Sequence, residues 1–221
     1  VLHDSTLDRT ARGPIENCTG LVSAKTLAQI KTCDVGTWFN AAHPSLARPE
    51  FIGLQIPTLD EIFRRYRQRA NYYIETKSPD TADHMEERLL ALLTQHGLLR
   101  PAASRWRVLI QSFSAASLQT MHALAPSLPL IQLVLGVGPS PAREQTLDDI
   151  AAYAVGIGPF HAGVDAALVS AARARCLDVH PWTVDQPADM RALVGAGAAG
   201  MFTNVPDQLD GVLGPRAVGR K

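Results

Sequence analysis

The sequence has little of what marks several large classes of protein. No apolar run approaches the roughly 20 residues needed to span a bilayer. Neither sign of charge is in excess, because 21 Lys and Arg residues balance 21 Asp and Glu residues. That balance argues against a nucleic-acid binder that works by bulk electrostatics, and no segment resembles a polybasic membrane patch. With 46% apolar residues among 221, collagen, coiled-coil and disordered chains are excluded, and one globular domain is expected.

Cysteine is also scarce, and the three cysteines do not make a disulfide framework. They contain no CxxC pair, which argues against a cysteine zinc site. Cys18 and Cys33 lie 15 residues apart in a loop-rich region, where they would pair in an exported protein and stay reduced in the cytosol. Cys176 falls in an apolar helical pattern, which predicts a thiol in the core.

The first residues lack the marks of a natural chain start. Val1-Leu2-His3-Asp4 contains no methionine, no charged n-region and no apolar h-region, so no signal peptide is visible. Val1 and Leu2 are typical of the last stub of a strand. We therefore expect residues to precede Val1 in the full protein.

Short apolar runs alternate with helical patterns from about residue 71 onward. The runs are Tyr72–Glu75, Val108–Gln111, Leu130–Val134, Tyr153–Ile157, Leu177–His180 and Gly200–Phe202. Their length and composition are typical of parallel strands covered on both faces. Six strands and the stub at Val1 fit either a doubly wound sheet or a (β/α)8 barrel whose first strands lie upstream, and periodicity alone does not choose. No GxGxxG follows the first strands, which weakens the case for a dinucleotide-binding protein.

Helix signals lie between these runs. Thr58-Leu59-Asp60-Glu61 is a capping box that opens a helix through about Arg69. Further helices are predicted over Thr81–His96 with Gly97 as a left-handed cap, from Ser114 to Leu124, and over Thr146–Ala152, Val164–Cys176 and Pro187–Val194. Residues from about 20 to 57 break the rhythm and are interpreted as an excursion from the scaffold. The barrel domain is expected to span residues 1–212, with residues 213–221 as a C-terminal tail.

Polar side chains follow the predicted strands at their carboxyl ends, where parallel α/β folds bind ligands. They are Glu75 and Lys77, Gln111 and Ser112, Gln132, His180 and Trp182, Thr203 and Asn204, and His3 and Asp4 after the stub. Glu75 and Lys77 share one face of a strand because side chains alternate with period two. A charged pair there needs a partner or a ligand, since burying charge is costly.

Each of these candidates also has a purely structural interpretation. Glu75 and Lys77 would form a mutual salt bridge at a strand end, and His3 would be a loop histidine beside an acidic turn residue. His180 fits a satisfied core histidine as well as a catalytic one, and Trp182 fits the core as well as an apolar substrate wall. The remaining histidines are interpreted as surface or helix residues: His43, His84, His96, His122 and His161.

Six ordered motifs resemble one known family. The segment from His3 to Thr10, HDSTLDRT, resembles the HD-x-x-LDRTT-x-G segment of glycerophosphodiester phosphodiesterases. Their PTLEE, IE-x-K, QSF, W-T-V-N and TD-x-P-D segments have counterparts, in order, at Pro57–Glu61, Ile74–Lys77, Gln111–Phe113, Trp182–Asp185 and Thr203–Asp207. Together the motifs cover most of the chain. The resemblance implies a TIM (β/α)8 barrel with the first two strands, and the family's HRG, PEN-T and E-x-D segments, upstream of Val1.

The same resemblance implies the reaction and its first participants. Members hydrolyse glycerophosphodiesters to an alcohol and glycerol 3-phosphate. A divalent cation, Ca²⁺ or Mg²⁺, would be held by Glu75 and two upstream acids. His3 would act with an upstream histidine as general acid and base.

Four further residues are implied to bind the substrate. Lys77 would contact the phosphate, and Gln111 would contact the substrate from the next strand. Phe113 and Trp182 would line the alcohol or glycerol pocket. The expected partner is a small-molecule glycerophosphodiester, with no nucleic acid and no stable membrane insertion.

Two positions depart from the family pattern and bear on substrate preference. Asp185 stands where the family often has Asn, and Asn204 stands where it often has Asp. The GIGP and HPWTV segments resemble a longer, often exported branch, so export is slightly favoured over a cytoplasmic location. Two alternatives stay open: a barrel phosphodiesterase acting on lysophospholipids or inositol phospholipids, and a non-catalytic barrel that binds a phosphate ligand.

Overall fold

The computed structural model describes residues 1–77, 79, 84–100, 106–138 and 142–214. Contacts divide the chain into two compact units, Val1–Asn71 with Lys77–Gly97, and Tyr72–Thr76 with Leu98–Lys221. We call them the loop-rich unit and the sheet unit. Within the described residues, every helix is too short or too polar to cross a membrane.

Short helices make up much of the loop-rich unit. They are α1 (Ile15–Cys18), α2 (Leu27–Ile30), α3 (Gly36–Ala42), α4 (Leu59–Tyr66) and α5 (Met85–Gln95), with 3-10 turns at Val22–Ala24, Pro44–Leu46, Pro49–Phe51 and Arg67–Arg69. The capping box predicted at the start of α4 is confirmed. Thr58 Oγ1 accepts a hydrogen bond from the Glu61 N–H, and the Thr58 N–H donates to Glu61 Oε2 at 2.7 Å.

The opening loop and the excursion before α4 share a small apolar core. Its buried members are Leu7, Ala11, Cys18, Cys33 and Ile56. Cys18 and Cys33 form a disulfide, which is one of the two states that the sequence leaves open. The backbones of Arg12 and Asp34 exchange two hydrogen bonds, of 2.7 and 2.8 Å. These cross-links hold together a segment that has little regular secondary structure.

Helix α3 begins at a position that only glycine can occupy. The Gly36 N–H donates to Asp34 Oδ1 at 2.7 Å, and the Thr37 N–H donates to the same oxygen at 3.1 Å. Asp34 thereby satisfies backbone N–H groups that a helix start leaves without partners. A Cβ on Gly36 would overlap the carbonyl group of Phe51. The missing side chain therefore lets the first turn of α3 pack directly against the turn at Pro49–Phe51.

Parallel strands and helices alternate in the sheet unit. Among the described residues the strands are, in sheet order, β1 (Tyr72–Glu75), β2 (Val108–Ser112), β3 (Leu130–Val134), β4 (Gly156–Pro159) and β5 (Asp178–Val179). The helices are α6 (Ala115–Leu124), α7 (Ala142–Ala151), α8 (Ala166–Arg173), α9 (Pro187–Ala196) and α10 (Pro206–Leu213). Sequential parallel strands with intervening helices are the arrangement that the sequence predicts.

The sheet is strongly curved. The Tyr73 hydroxyl on β1 lies 2.9 Å from His180 Nδ1, directly after β5. Four strand spacings of about 4.8 Å separate β1 from β5, so the two edges of a flat sheet would be about 19 Å apart. Contact between them requires the sheet to curl, as a barrel wall does. Tyr73 therefore points to the concave face, and Glu75, two residues further on, lies on the same face.

The fourth predicted strand is displaced along the chain. The sequence predicts it at Tyr153–Ile157, whereas β4 runs over Gly156–Pro159. The Tyr153 and Ala154 N–H groups both donate to the Ile150 carbonyl oxygen, at 3.1 and 2.9 Å. These bonds close the end of α7, so the first residues of the apolar run belong to a turn.

Two other predicted strands are wrong, and one is shortened to Asp178–Val179. Gly200–Phe202 is not a strand in the structure. The Phe202 N–H donates to the Pro181 carbonyl at 2.9 Å and the Val184 N–H donates to the Phe202 carbonyl at 2.8 Å, but Pro181 has no N–H to continue a ladder. Val1 and Leu2, expected to be the stub of a strand, are not assigned to a strand either.

The predicted helices are present with shifted ends. Helix α6 is capped by Ser114 and ends at Leu124, as predicted. Gly97 has a left-handed φ of +65°, also as predicted. Helix α5 is helical from Met85, and its predicted start at Thr81 lies outside the described residues. Helix α10 was not anticipated by the sequence analysis, and residues 215–221 of the predicted tail lie outside the described part.

The prediction that Cys176 is a core thiol is wrong. Its side chain is exposed, and its backbone has a left-handed φ of +58°. Helix α8 ends at Arg173, earlier than predicted, so Cys176 lies in the turn that leads to β5. The apolar pattern there continues past the end of the helix that it indicates.

Removing the disulfide should destabilise the protein. A cross-link that closes a loop of this size, 15 residues in sequence separation, contributes about 3 kcal/mol. We expect Cys18→Ser/Cys33→Ser to lower the free energy of unfolding by about that amount, measured by urea titration. Dithiothreitol should lower the stability of the wild type and of Cys176→Ser, which both keep the disulfide, and leave the double variant unchanged. Cys176→Ser is the control, and equal stability of the double variant and the control would contradict a stabilising role.

Candidate active site

Two oxygen-bearing side chains lie on neighbouring strands at the carboxyl edge of the sheet. Glu75 ends β1, and its register partner on β2 is Gln111. Register partners in adjacent strands point to the same face, so Gln111 shares the concave face with Glu75. Gln111 is 7% exposed, and its Oε1 atom is buried without a hydrogen-bond partner among the described residues. A buried acceptor left unsatisfied is costly, which makes this oxygen a candidate ligand-binding atom.

Three aromatic rings form a wall beside these strands. The Trp182 ring centroid lies 5.5 Å from that of Phe113 and 5.5 Å from that of Phe160. The Trp182 Nε1–H donates to the Gly158 carbonyl at 2.7 Å, which fixes the indole. A Cβ on Gly158 would lie 2.6 Å from Leu133 Cδ2, so the strand leaves room for the packed side chains. The two predicted pocket residues, Phe113 and Trp182, are therefore brought together.

Gln132 was predicted at the same rim, but its hydrogen bonds are used within the protein. Its Nε2 group donates to the carbonyl oxygens of Ser112, Phe113 and Leu133, at 3.2, 3.2 and 2.9 Å. Its Oε1 accepts from the Tyr153 hydroxyl at 2.8 Å. Gln132 therefore holds the turn after β2, and we assign it a structural role.

His180 also has a partner inside the sheet unit. Its Nδ1 atom lies 2.9 Å from the Tyr73 hydroxyl, and its ring packs edge-on against Tyr73 at 5.9 Å between centroids. Burial lowers the pKa of His180, although the carboxylate of Asp178 acts in the opposite direction. Burial likewise raises the pKa of Tyr73. The structure therefore supports the interpretation of His180 as a satisfied interior histidine.

The two residues that depart from the family pattern are partners. Asp185 accepts hydrogen bonds from the Asn204 N–H at 2.8 Å and from Asn204 Nδ2 at 2.9 Å. Thr203 Oγ1 adds a third bond to Asp185 at 3.3 Å. The backbone bond from Asn204, followed by its side-chain bond, lowers the pKa of Asp185. Asp185 and Asn204 therefore form a hydrogen-bonded pair in this chain.

His3 lies in the loop-rich unit with a carboxylate beside it. His3 Nδ1 is 2.7 Å from Asp4 Oδ1. Arg9 grips the same carboxylate through Nε at 2.6 Å and Nη2 at 3.0 Å. The hydrogen bonds from Arg9, and then from His3, hold the pKa of Asp4 well below its usual range. An ionised Asp4 and an imidazole in hydrogen-bond contact form the base-and-orienter pair that acid–base catalysis needs.

An apolar cavity of about 500 Å³ adjoins His3 within the loop-rich unit. Its lining includes His3, Arg9, Trp38, Phe39, Phe51, Leu54 and Ile56. A larger cavity of about 960 Å³ lies at the end of α4, lined by Arg64, Arg65, Arg67, Gln68, Arg69, Gln95 and His96. None of the predicted site residues lines the larger cavity, so we place the active site elsewhere.

The described residues do not form a complete metal site. Nowhere among them do three His, Cys, Asp or Glu side chains group in a way that could hold a metal ion. The predicted ligand Glu75 and the buried oxygen of Gln111 offer two oxygen donors on neighbouring strands. Oxygen donors suit Ca²⁺ or Mg²⁺, but Ca²⁺ takes six to eight of them. The residues fit a fragment of such a site and not a complete one.

Two residues at or beside the candidate site were not singled out from the sequence. His161, interpreted as a surface or helix residue, directly follows β4 and Phe160 at the carboxyl edge. The displaced prediction for β4 hid this position. Arg9 lies inside the first motif, five residues after Asp4, but no spacing rule pairs them. Lys77, predicted to contact phosphate, is half-buried two residues after β1 and belongs to the loop-rich unit.

Comparison with known proteins gives consistent matches. The model of the glycerophosphoryl diester phosphodiesterase family matches residues 1–208. A Bacillus subtilis glycerophosphodiester phosphodiesterase is 45% identical over 94% of this chain and 69% of its own length. The glycerophosphodiester phosphodiesterase of Caldanaerobacter subterraneus is 31% identical over 95% of this chain and 77% of its own.

A solved structure agrees in fold. The structure of an Oleispira antarctica phosphodiesterase in complex with the product sn-glycerol-3-phosphate has a TM-score of 0.78 to this chain at 22% identity. The match covers 96% of this chain and 78% of that one. At this identity the likeness shows the fold.

A curved parallel sheet with polar groups at its carboxyl edge defines the class as a βα-barrel protein. Within that class, the chain belongs to the glycerophosphoryl diester phosphodiesterase family. The predicted TIM-barrel fold and the prediction of a phosphoric diester hydrolase are confirmed. The roles of the individual residues stay predictions.

The pairing of Asp185 with Asn204 gives a testable expectation. Asn204→Asp alone places two carboxylates where a 2.9 Å hydrogen bond now lies. We expect that variant to lose about 1 kcal/mol of unfolding free energy, a value reduced for solvent exposure. Asp185→Asn/Asn204→Asp should regain most of it. Urea titration of the two variants checks this, and a double variant as unstable as the single one would contradict the pairing.

Stability should also fall on acidification because of His180. Folding lowers the pKa of His180 below its ordinary value of 6.5. As the pH falls below about 6.5, the unfolded chain therefore binds a proton at this histidine more readily than the folded chain does. The free energy of unfolding therefore drops as the pH falls through that range. We expect His180→Asn to reduce this dependence between pH 7 and pH 5, measured by urea titration at several pH values. His43→Asn, at an exposed position, is the control and should leave the slope unchanged.

Proposed function

We propose that this chain hydrolyses glycerophosphodiesters to an alcohol and glycerol 3-phosphate. The observation that carries the proposal is 45% identity, over 94% of the chain, to the Bacillus subtilis enzyme of that name. The pairing of His3 with an ionised Asp4 supports it, because it supplies an oriented imidazole.

The chemistry of the substrate explains why an imidazole is suited to the reaction. A phosphodiester is anionic and repels a nucleophile, and the alkoxide that leaves needs a proton. A histidine titrates near neutral pH, so it can donate or accept that proton. We assign His3 as one of the two general acid–base groups. A transfer of this kind typically contributes about 10²–10⁴-fold to the rate.

We propose Glu75 as one ligand of a divalent cation, Ca²⁺ or Mg²⁺. The buried Oε1 of Gln111 supports the assignment, because it adds a second oxygen on the same face. When bound, a hard cation offsets the negative charge that builds on the phosphoryl oxygens. The remaining ligands would come from outside the described residues.

Four residues are assigned to substrate binding. Lys77 would contact the phosphate, an assignment that rests on the IE-x-K motif, Ile74–Lys77 here. Gln111 would bind substrate through its buried amide. Phe113 and Trp182 would line the alcohol or glycerol pocket, and their ring contact at 5.5 Å supports a shared wall. The expected partner is a small-molecule diester and not a nucleic acid, in line with the net charge of zero.

The apolar cavity beside His3 favours a second candidate substrate. Aromatic and aliphatic side chains there suit an alkyl or acyl group better than a polar alcohol. A lysophospholipid carries such a group. Rates of hydrolysis of glycerophosphocholine and of lysophosphatidylcholine, measured side by side, distinguish the two candidates.

An exported location is proposed for the protein. Disulfides persist in oxidising compartments and are rare where thiols are kept reduced. The Cys18–Cys33 bridge supports an oxidising compartment.

Two substitutions test the assigned chemistry. We expect His3→Ala to lower kcat by about 10²–10⁴-fold, because it removes a proton-transfer group. We expect Glu75→Gln to abolish the activation that added Ca²⁺ or Mg²⁺ gives to chelator-treated enzyme. Release of glycerol 3-phosphate from glycerophosphocholine measures both, and circular dichroism verifies the fold.

The matched controls are His84→Asn and Glu87→Gln, an exposed pair at the start of α5 with atoms 3.7 Å apart. Both should keep wild-type activity. Near-normal turnover in His3→Ala would remove its catalytic role. Unchanged cation activation in Glu75→Gln would remove its role as a ligand.

A further inference from the structure

A continuous series of contacts runs from α3 to His3 within the loop-rich unit. The guanidinium carbon of Arg9 lies 5.3 Å from the centroid of the Trp38 ring. Arg9 donates two hydrogen bonds to Asp4, of 2.6 and 3.0 Å. Asp4 in turn lies 2.7 Å from His3 Nδ1.

The charge on Asp4 decides which nitrogen of His3 carries the hydrogen. Arg9 is a permanent cation, and its hydrogen bonds hold the pKa of Asp4 well below the usual range. An ionised carboxylate only accepts hydrogen bonds, so His3 Nδ1 must be the donor. The neutral ring then keeps its lone pair on Nε2. A histidine that transfers protons needs this assignment to be fixed.

His3 needs support because its side chain is 73% exposed. An exposed side chain samples several rotamers, and a catalytic group must be held in one direction to act efficiently. The Asp4 side chain is 26% exposed and so is the better shielded member of the pair. Arg9 holds it at two points, which leaves the carboxylate little freedom to turn.

Trp38 is the residue at the α3 end of this series of contacts, and its position is fixed by the packing of that helix. It lies in the first turns of α3, where Gly36 packs against the backbone of Phe51 and Asp34 binds the helix start. The indole is half-buried. The N–H groups at the edge of the Arg9 guanidinium donate to Asp4, while the guanidinium carbon lies over the Trp38 ring. Because the guanidinium is planar and rigid, these two contacts fix each other's geometry.

We propose that Trp38 and Arg9 are positioning residues that act through Asp4 to fix the tautomer and direction of the His3 imidazole. The inference rests on the proposed role of His3 in hydrolysis. It gives the excursion a function, because α3 sets the geometry of a residue in the opening loop.

Kinetics of five variants test the proposal. We expect Asp4→Asn to lower kcat about tenfold or more, and Arg9→Gln and Trp38→Leu to lower it several-fold, with KM changed by less than about twofold. Asp4→Asn/Arg9→Gln should be no slower than Asp4→Asn, because the residues act as one unit. Trp38→Phe keeps an aromatic face and should restore most of the kcat lost in Trp38→Leu.

Nitrogen-15 NMR of histidine-labelled protein reads the tautomer directly and does not depend on turnover. The His3 signals are assigned from their absence in His3→Gln. Spectra are recorded at a pH above the His3 titration that they themselves show, so that the ring is neutral, and there we expect the wild type to show a protonated Nδ1 and a bare Nε2. Asp4→Asn and Arg9→Gln should shift His3 toward the other tautomer. Normal turnover in His3→Ala would contradict the proposed catalytic role of His3. The NMR result would still test whether Asp4 and Arg9 fix the tautomer of the His3 ring.

The matched control is Arg64→Gln, which removes an exposed arginine that pairs with Asp60 at 2.9 Å. It should change neither kcat nor the His3 spectrum. An unchanged His3 tautomer in Asp4→Asn and Arg9→Gln would overturn the proposal. So would a rise in KM at constant kcat, or an equal loss of kcat in Arg64→Gln.

Discussion

The contact between Tyr73 and His180 decides which face of the sheet is available to a ligand. These residues belong to opposite edges of the sheet, and they meet only because the sheet curls. Strand alternation then assigns Glu75, and by register Gln111, to the concave face. The pair is neutral around pH 7, because burial disfavours charge on either ring. The Tyr73–His180 contact therefore adds no charge to the interior that would pair with, or repel, the carboxylate of Glu75.

The parts of the fold with a strong local signal could be predicted from the sequence. Thr58 and Ser114 cap their helices through a side chain a few residues away, so their signal lies within one turn. β1 was predicted with its observed ends. The run Tyr153–Ile157 gave the wrong start for β4 because every residue in it is compatible with a strand. The hydrogen bonds from the Tyr153 and Ala154 N–H groups to the Ile150 carbonyl show that these two residues belong to the turn after α7.

The sequence predicts where the candidate site lies in the fold better than it predicts what each residue does there. Polar residues at strand ends were found because chain direction alone places them on one edge. Sequence does not reveal which of them have their hydrogen bonds satisfied. Gln132 is used by Tyr153 and neighbouring carbonyls, whereas Gln111 keeps a buried oxygen without a partner in the described part of the chain. The contact of Arg9 with Trp38 joins distant segments and has no local signal.

The hydrogen-bonded pair of Asp185 and Asn204 constrains how either residue can change during evolution. Codons change one at a time, so a lineage that reaches this pair from the reverse one, which the family resemblance implies, must pass through an intermediate. An intermediate with two acids would bring like charges together, whereas one with two amides could still form a hydrogen bond. The route through two asparagines is therefore the accessible one, and relatives with asparagine at both positions are the expected trace of that history.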